Sequence, residues 1–378
     1  MRRICEWAWV PWCALLALSC GNPSLDRAPA ILRQYAFVAN GKSNTVTVVD
    51  LDTFRVQRTI PVGTDPTGVT ASPIRNEVYV VNAGSGTVSF LNAETLEVES
   101  TVPVGRSPYS LELSPDGGTG YVANSGSDSI SVLDLIERRV RKTIPVGRHP
   151  GTASATPDGN LLVISNRGSN SVSIIDLASM AVVAEVPVGR EPGPMAIFPD
   201  SSKVFVANTG DGTVSAVDLR AYKLITHLVS GKTPSAVVLK PDGGELFVTN
   251  FDSHSVAIIN TNADEVTESL MAGQNPGQAL VDPSGSLLYY ANFGSNSVSV
   301  VDIASRQVLA SVEVGSRPDA LALTPDGRYL LVLNSASNDL AVVDALERSL
   351  FTVVPLGLSP RDIAVKAFEV PAGVAPAP

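Results

Sequence analysis

Three histidines, His149, His227 and His254, are the only imidazoles in the chain, and they stand 78 and 27 residues apart. Metal, haem and proton-transfer sites draw most often on this side chain, and they gather several ligands or partners at short spacing. No Cys-x-x-Cys-His stretch for covalent haem attachment accompanies them. There is also no Gly-x-Ser-x-Gly nucleophile elbow beside a histidine and no glycine-rich phosphate loop. His149 and His254 fall in turns and His227 in a strand at the rim, so the expectation is no metal, no cofactor and no catalytic residue.

Cysteine offers a second chemistry. All three cysteines (Cys5, Cys13, Cys20) and all three tryptophans (Trp7, Trp9, Trp12) lie in the first twenty residues. Met1-Arg2-Arg3 is a basic head, and Trp7 to Leu18 is an apolar run too short for a membrane span of about 20 residues. The reading is a signal peptide over 1–19. Leu16-Ala17-Leu18-Ser19-Cys20 resembles a bacterial lipobox, with Ala17 where leucine is preferred, and the Cys20 thiol is the expected acylation site. After cleavage no other cysteine remains to pair with it. Gly21, not aspartate, follows Cys20, which favours anchoring at the outer membrane. Residues 20–33 read as a tether.

A third candidate is a row of cations. Arg106, Arg148, Arg190 and Lys232 occupy one position in four consecutive repeats, where other repeats carry Thr64, Gln274, Ser316 and Leu358. With His149 and Arg167 they would form a basic arc over half of one face, fitted to a small anionic ligand, a polysaccharide or an acidic patch on a cell-envelope protein. Solvated turn residues, partly offset by Asp65, Glu191 and Asp319, are the plainer reading. The chain is acidic, at −10, and loss of Arg2, Arg3 and Glu6 with residues 1–19 takes it to −11. A net charge of that sign argues against nucleic acid as a partner, and leaves the lipid anchor as the expected membrane contact.

The elements that must position these residues come from a repeat. Asparagine recurs every 42 residues at Asn40, Asn82, Asn124, Asn166, Asn208, Asn250, Asn292 and Asn334. Glycine recurs with the same period from Gly63 to Gly357, followed three residues later by proline, Pro66 to Pro360, with no insertion or deletion. Each unit reads as four short strands. The first follows Gly-x-x-Pro and ends at a Pro-Asp-Gly turn such as Pro115-Asp116-Gly117; the second ends at the asparagine; the third ends at Asp or Asn; the fourth runs into Pro-Val-Gly. The middle strands are nearly continuous in Val, Ile, Leu and Ala, as in sheets covered on both faces. The fourth mixes charge with closing proline, as in Arg139-Val140-Arg141-Lys142-Thr143-Ile144-Pro145, the device by which edge strands resist further pairing. Four-stranded units of this length are propeller blades.

The expected fold is all-β, an eight-bladed propeller over 34–368, with seven blades as the alternative and a loose tail over 369–378. The chain begins in a second strand (Tyr35 to Ala39) and ends with an extra first strand (Asp362 to Ala367), so both ends should complete one blade.

Tyr121-Val122-Ala123-Asn124, Phe247-Val248-Thr249-Asn250, the Pro-Asp-Gly turns and the Pro-Val-Gly endings resemble the YVTN β-propeller repeat family over nearly the whole mature chain. That resemblance implies the fold and a range of functions, from surface-layer and cell-surface proteins to propeller lactonases and haem d1 domains. Fold alone does not choose among them. The functional expectation is an exported, lipid-anchored, non-catalytic binding or scaffolding module. The alternative is a lactonase-type hydrolase acting on a small anionic substrate.

Overall fold

The computed structural model describes residues 30–371. The signal peptide over 1–19, Cys20, most of the tether and the last seven residues of the tail lie outside the described residues. Thirty-two strands form eight separate four-stranded sheets. The molecule is an eight-bladed β-propeller, not a seven-bladed one.

Every blade is a meander whose strands run from the axis to the rim. In blade 3 these are Pro108–Leu113, Thr119–Asn124, Ser129–Asp134 and Arg139–Pro145. The two middle strands are buried almost throughout, because each blade stacks its faces on two neighbours. Tyr121, Ile130 and Val132 of blade 3 pack on Leu162, Ile164 and Ile175 of blade 4. In the outer strand only Ile144 is fully buried, with Val140 half-buried against the core. Its pairing slips by one residue at Val132/Leu133, which leaves Arg141 as a bulge, and the same slip recurs in the outer strand of every blade. A bulge with a charged side chain and a terminal proline blunts an edge that would otherwise recruit another chain.

Two kinds of turn meet on one face, here the mouth face. In blade 3 the Gly-Arg turn meets the turn after Asn124: Gly126 N–H donates to the Arg106 carbonyl at 3.0 Å, and Arg106 N–H donates to Ser127 Oγ at 2.6 Å. On the opposite face the third strands end in Asx turns, as where Asp134 Oδ1 accepts from the Ile136 and Glu137 N–H groups, both at 2.9 Å.

Both chain ends close blade 1. Ala30–Asn40 pairs antiparallel with Pro360–Pro371, from Ala30↔Pro371 to Asn40↔Pro360. The ring therefore starts four residues before 34 and ends three after 368, because Phe368 and Val370 extend the pairing and bury against Ala93 and Leu96 of blade 2. Tyr35 and Phe368 meet edge to face at 5.7 Å. The closing strand also grips blade 2 directly: Asp362 Oδ2 accepts from Val69 N–H at 2.9 Å, and Lys366 Nζ donates to the Ser72 carbonyl at 2.6 Å. Both paired strands leave blade 1 on the face opposite the mouth.

Candidate functional site

The basic arc lies on the mouth face. Arg106, Arg148, Arg190, Lys232, His149 and Arg167 are all exposed there. The backbone at the arc position is held the same way in every blade, whatever the side chain. Its N–H donates to a side-chain oxygen 21 residues on, Ser127 for Arg106 and Ser85 for Thr64, and to Ser43 for Leu358 across the closure. The turn thus constrains no side chain at this position.

The six residues are not equivalent. Arg190 is engaged by Asp211, and Arg167 pairs with Glu191 at 2.7 Å. Among the described residues, Arg106, Arg148 and Lys232 have no ion pair within 4.0 Å. The free positive charge is therefore three cations, on blades 3, 4 and 6 of the arc. His149 lies over Gly168, whose missing Cβ would stand 2.6 Å from the His149 Cδ2 atom. His149 and Arg167 share a cleft of about 510 Å³ with Tyr109, Gly151 and Gly193, while Arg106 lies in a separate hollow beside Gly84 and Ser127.

The other two histidines serve the frame. His254 Nδ1 accepts from Asn275 N–H at 3.0 Å, a role that Asn44, Asp128 or Asn170 fills in other blades. His227 Nδ1 lies 2.9 Å from Ser215 Oγ. Among the described residues no group of three or more His, Cys, Asp or Glu is placed to hold a metal ion.

A second set of residues, absent from the expected site, lines the axis. One residue past each recurring proline stand Thr67, Tyr109, Gly151, Gly193, Ser235, Gly277, Asp319 and Arg361. Their positions on the inner strands bring them to the channel mouth, and they are of six residue types although the proline before them never changes. The inner strand of each blade turns its free edge to the channel, so its N–H and C=O groups need partners from outside the blade. Neighbouring side chains supply them. Thr67 Oγ1 donates to the Tyr109 carbonyl at 3.4 Å, Ser235 Oγ to the Pro276 carbonyl at 2.8 Å, and Gln278 Oε1 accepts from Leu321 N–H.

Three carboxyls along the channel are perturbed, and in each burial is the first cause. Desolvation pushes Glu112 up to about 7 against a 3.3 Å bond from Ala155 N–H. Asp362 is raised to about 6 although Val69 and Ile363 N–H groups both donate to it. Asp319 is raised by desolvation and opposed by the Arg361 charge. Water reaches much of the Asp319 surface, yet the channel walls displace enough of its hydration to disfavour the anion. Deeper, Lys366 is buried and its ammonium is lowered by desolvation.

Fold and mouth together define a β-propeller whose frame is uniform and whose axis is individual. A family model described as a YNCE-like beta-propeller matches residues 7–123. Among solved structures the chain resembles Kuenenia stuttgartiensis hydrazine synthase, at 24% identity and a TM-score of 0.61 over 75% of this chain and 97% of that one. It resembles the dihydro-heme d1 dehydrogenase NirN in complex with DHE, at 16% identity and a TM-score of 0.75 over 87% of this chain and 74% of that one. Citrobacter koseri AztD matches at 14% identity and a TM-score of 0.69, over 89% of this chain and 99% of that one. No curated protein sequence matches. At these identities the likeness is one of fold.

Proposed function

We propose that this protein is an exported, lipid-anchored binding module that uses its mouth face to recognise an acidic partner or polysaccharide at the cell envelope. The observation that carries the reading is the contrast at the arc position. The backbone there is fixed identically in all eight blades by a side chain from the adjoining turn, so Arg106, Arg148 and Lys232 are not required by the fold, yet they stand together and unpaired. Neighbouring exposed cations add their potentials and can grip a multivalent anion at several points. The sequence around Cys20 supports export and acylation.

The test has two arms. Full-length protein and its Cys20→Ser variant are expressed with labelled palmitate, and label should enter only the parent. Retention on immobilised alginate, a polyuronate, is then measured for the parent and for a quadruple variant, Arg106→Gln, Arg148→Gln, Arg190→Ser and Lys232→Gln. Retention should fall by about tenfold or more at low salt in the variant, and fall with rising salt in the parent. The melting temperature should hardly move, since exposed charges add little stability. Equal retention by both proteins rejects the arc as a recognition surface.

A further inference from the structure

The channel mouth encloses a chamber of about 510 Å³ walled by the inner strands of blades 1, 2, 3, 6, 7 and 8. Most polar groups in that wall already have work. Thr67, Ser235 and Gln278 satisfy the free edges of neighbouring strands, and Asp362 accepts two backbone N–H groups. Three side chains do not. The Asp319 carboxyl, the Arg361 guanidinium and the Tyr109 hydroxyl make no hydrogen bond or ion pair to any described residue, although all three line the chamber.

Asp319 and Arg361 sit at the same position of adjacent blades. They feel each other's charge, but they are more than 4.0 Å apart and do not pair. Arg361 passes over Gly41, where a Cβ would stand 3.1 Å from both Arg361 Nε and Asp65 Oδ1. It forms no ion pair with Asp65 within 4.0 Å either. An anion and a cation held apart in this way are complementary to a molecule that carries both charges. The walls near them add the faces of Tyr109, 58% exposed, and of Phe251.

The space is kept open by glycines that the backbone does not need. A Cβ at Gly277 would meet only the Ala291 carbonyl, at 3.9 Å, and one at Gly68 would meet nothing nearer than 3.6 Å. Neither has a left-handed backbone, so neither needs glycine for its conformation. Glycine in a strand interior lowers stability relative to alanine by roughly 0.5–1 kcal/mol, and here that cost has no compensation within the fold.

We propose that the chamber binds a small zwitterion of amino-acid or short-peptide size, its ammonium on Asp319 and its carboxylate on Arg361, with an apolar side chain against Tyr109 and Phe251. Arg361 takes the carboxylate through its planar fork of donors, and Asp319 takes the ammonium beside channel walls that displace part of its hydration. The cations of the arc do not line this chamber, although Tyr109 and Ser235 also border the cleft beside His149 and Arg167, and neither proposal depends on the other.

The experiment is calorimetric titration of the full-length protein with each of the L-α-amino acids and with dialanine, using methylamine and acetate as carriers of one charge only. At least one zwitterion should bind with a Kd below about 1 mM, a modest value for a ligand of this size, and neither control should. Asp319→Asn and Arg361→Gln should each weaken that binding tenfold or more. Gly277→Phe should abolish it by filling the chamber, and a thermal melt without ligand checks that each variant is folded. Failure of every zwitterion to bind overturns the proposal. So does binding of methylamine or acetate as tight as that of the zwitterion, or unchanged binding by the folded Asp319→Asn and Arg361→Gln variants.

Discussion

Two sets of glycines stand a few residues apart in this ring and obey different rules. Those before the inner strands, such as Gly105, Gly147 and Gly189, lie against the side chain of a fully buried asparagine. A Cβ on any of them would come within 2.4–2.6 Å of Asn124, Asn166 or Asn208. Those on the inner strands, Gly151, Gly193 and Gly277, have room where a Cβ would go. The first set recurs in every blade, and the second, at the residue after the recurring proline, appears in only three. Repetition marks a requirement of the frame, and departure from it marks a position the frame has released. The asparagines follow the first rule. Asn166 Nδ2 donates to Ser171 and Ser173 at 3.1 and 2.9 Å. Asn250, which faces Ala257 in place of a second hydroxyl, turns to the Ser230 and Val248 carbonyls.

The largest effect should come from removing the frame at its one discontinuous blade. Ending the chain at Pro360 deletes the strand that pairs with Ala30–Asn40, along with the buried Ile363, Phe368 and Val370. Each such side chain contributes about 1.5–3 kcal/mol on burial, so the melting temperature should fall by roughly 10 °C or more. A melt within a degree or two of the parent would mean that the seam carries little of the stability.

The comparison of glycines is tested directly by a pair of alanines. Gly147→Ala forces a methyl onto Asn166 and should cost about 1–3 kcal/mol in urea unfolding. Gly193→Ala should stay within about 0.5 kcal/mol of the parent. If the two variants lose the same stability, the distinction between frame and axis fails.

A smaller effect concerns Glu112, whose folded pKa of about 7 lies above the unfolded value. The folded state then holds the proton more tightly, so this group's contribution to stability is greatest at low pH and declines as pH rises from about 4 to about 7. Glu112→Gln removes that decline at this site. Its melting temperature relative to the parent should climb by a few degrees between pH 5 and pH 8 and level off above it. A difference that does not change with pH would remove the buried carboxyl from the account. The remaining slope in the variant belongs in part to Asp362, which is shifted in the same direction.

What was legible in the sequence was whatever repeats. The 42-residue spacing of the asparagines, the charged and proline-closed outer strands and the spare strand at each end led to blade number, strand order and closure. The position of the arc could also be read, since a turn residue in one blade predicts the same face in the next. Its pairing could not. Arg190 meets Asp211 and Arg167 meets Glu191 across 21 and 24 residues, through turns whose side-chain directions no periodicity reports. The axial residues were hidden for a related reason. Position 319 is Asp and position 361 is Arg with only the preceding proline in common, and in a search for regularity such variation reads as an unconstrained loop. Only the closed ring brings these eight residues, of six types, to one axis. The signal that could have found them was the variability itself, set directly after a proline that does not vary.

The paired strands of blade 1 give the molecule a fixed up and down. Residues Ala30 and Pro371 are partners in the ladder and both lie away from the mouth, so anything attached through either end holds the ring by its back. A tag or an immobilising linker at either terminus should leave the channel and the arc open to solution. For a chain acylated at Cys20 the same geometry would turn the mouth outward from the bilayer, toward whatever diffuses past it.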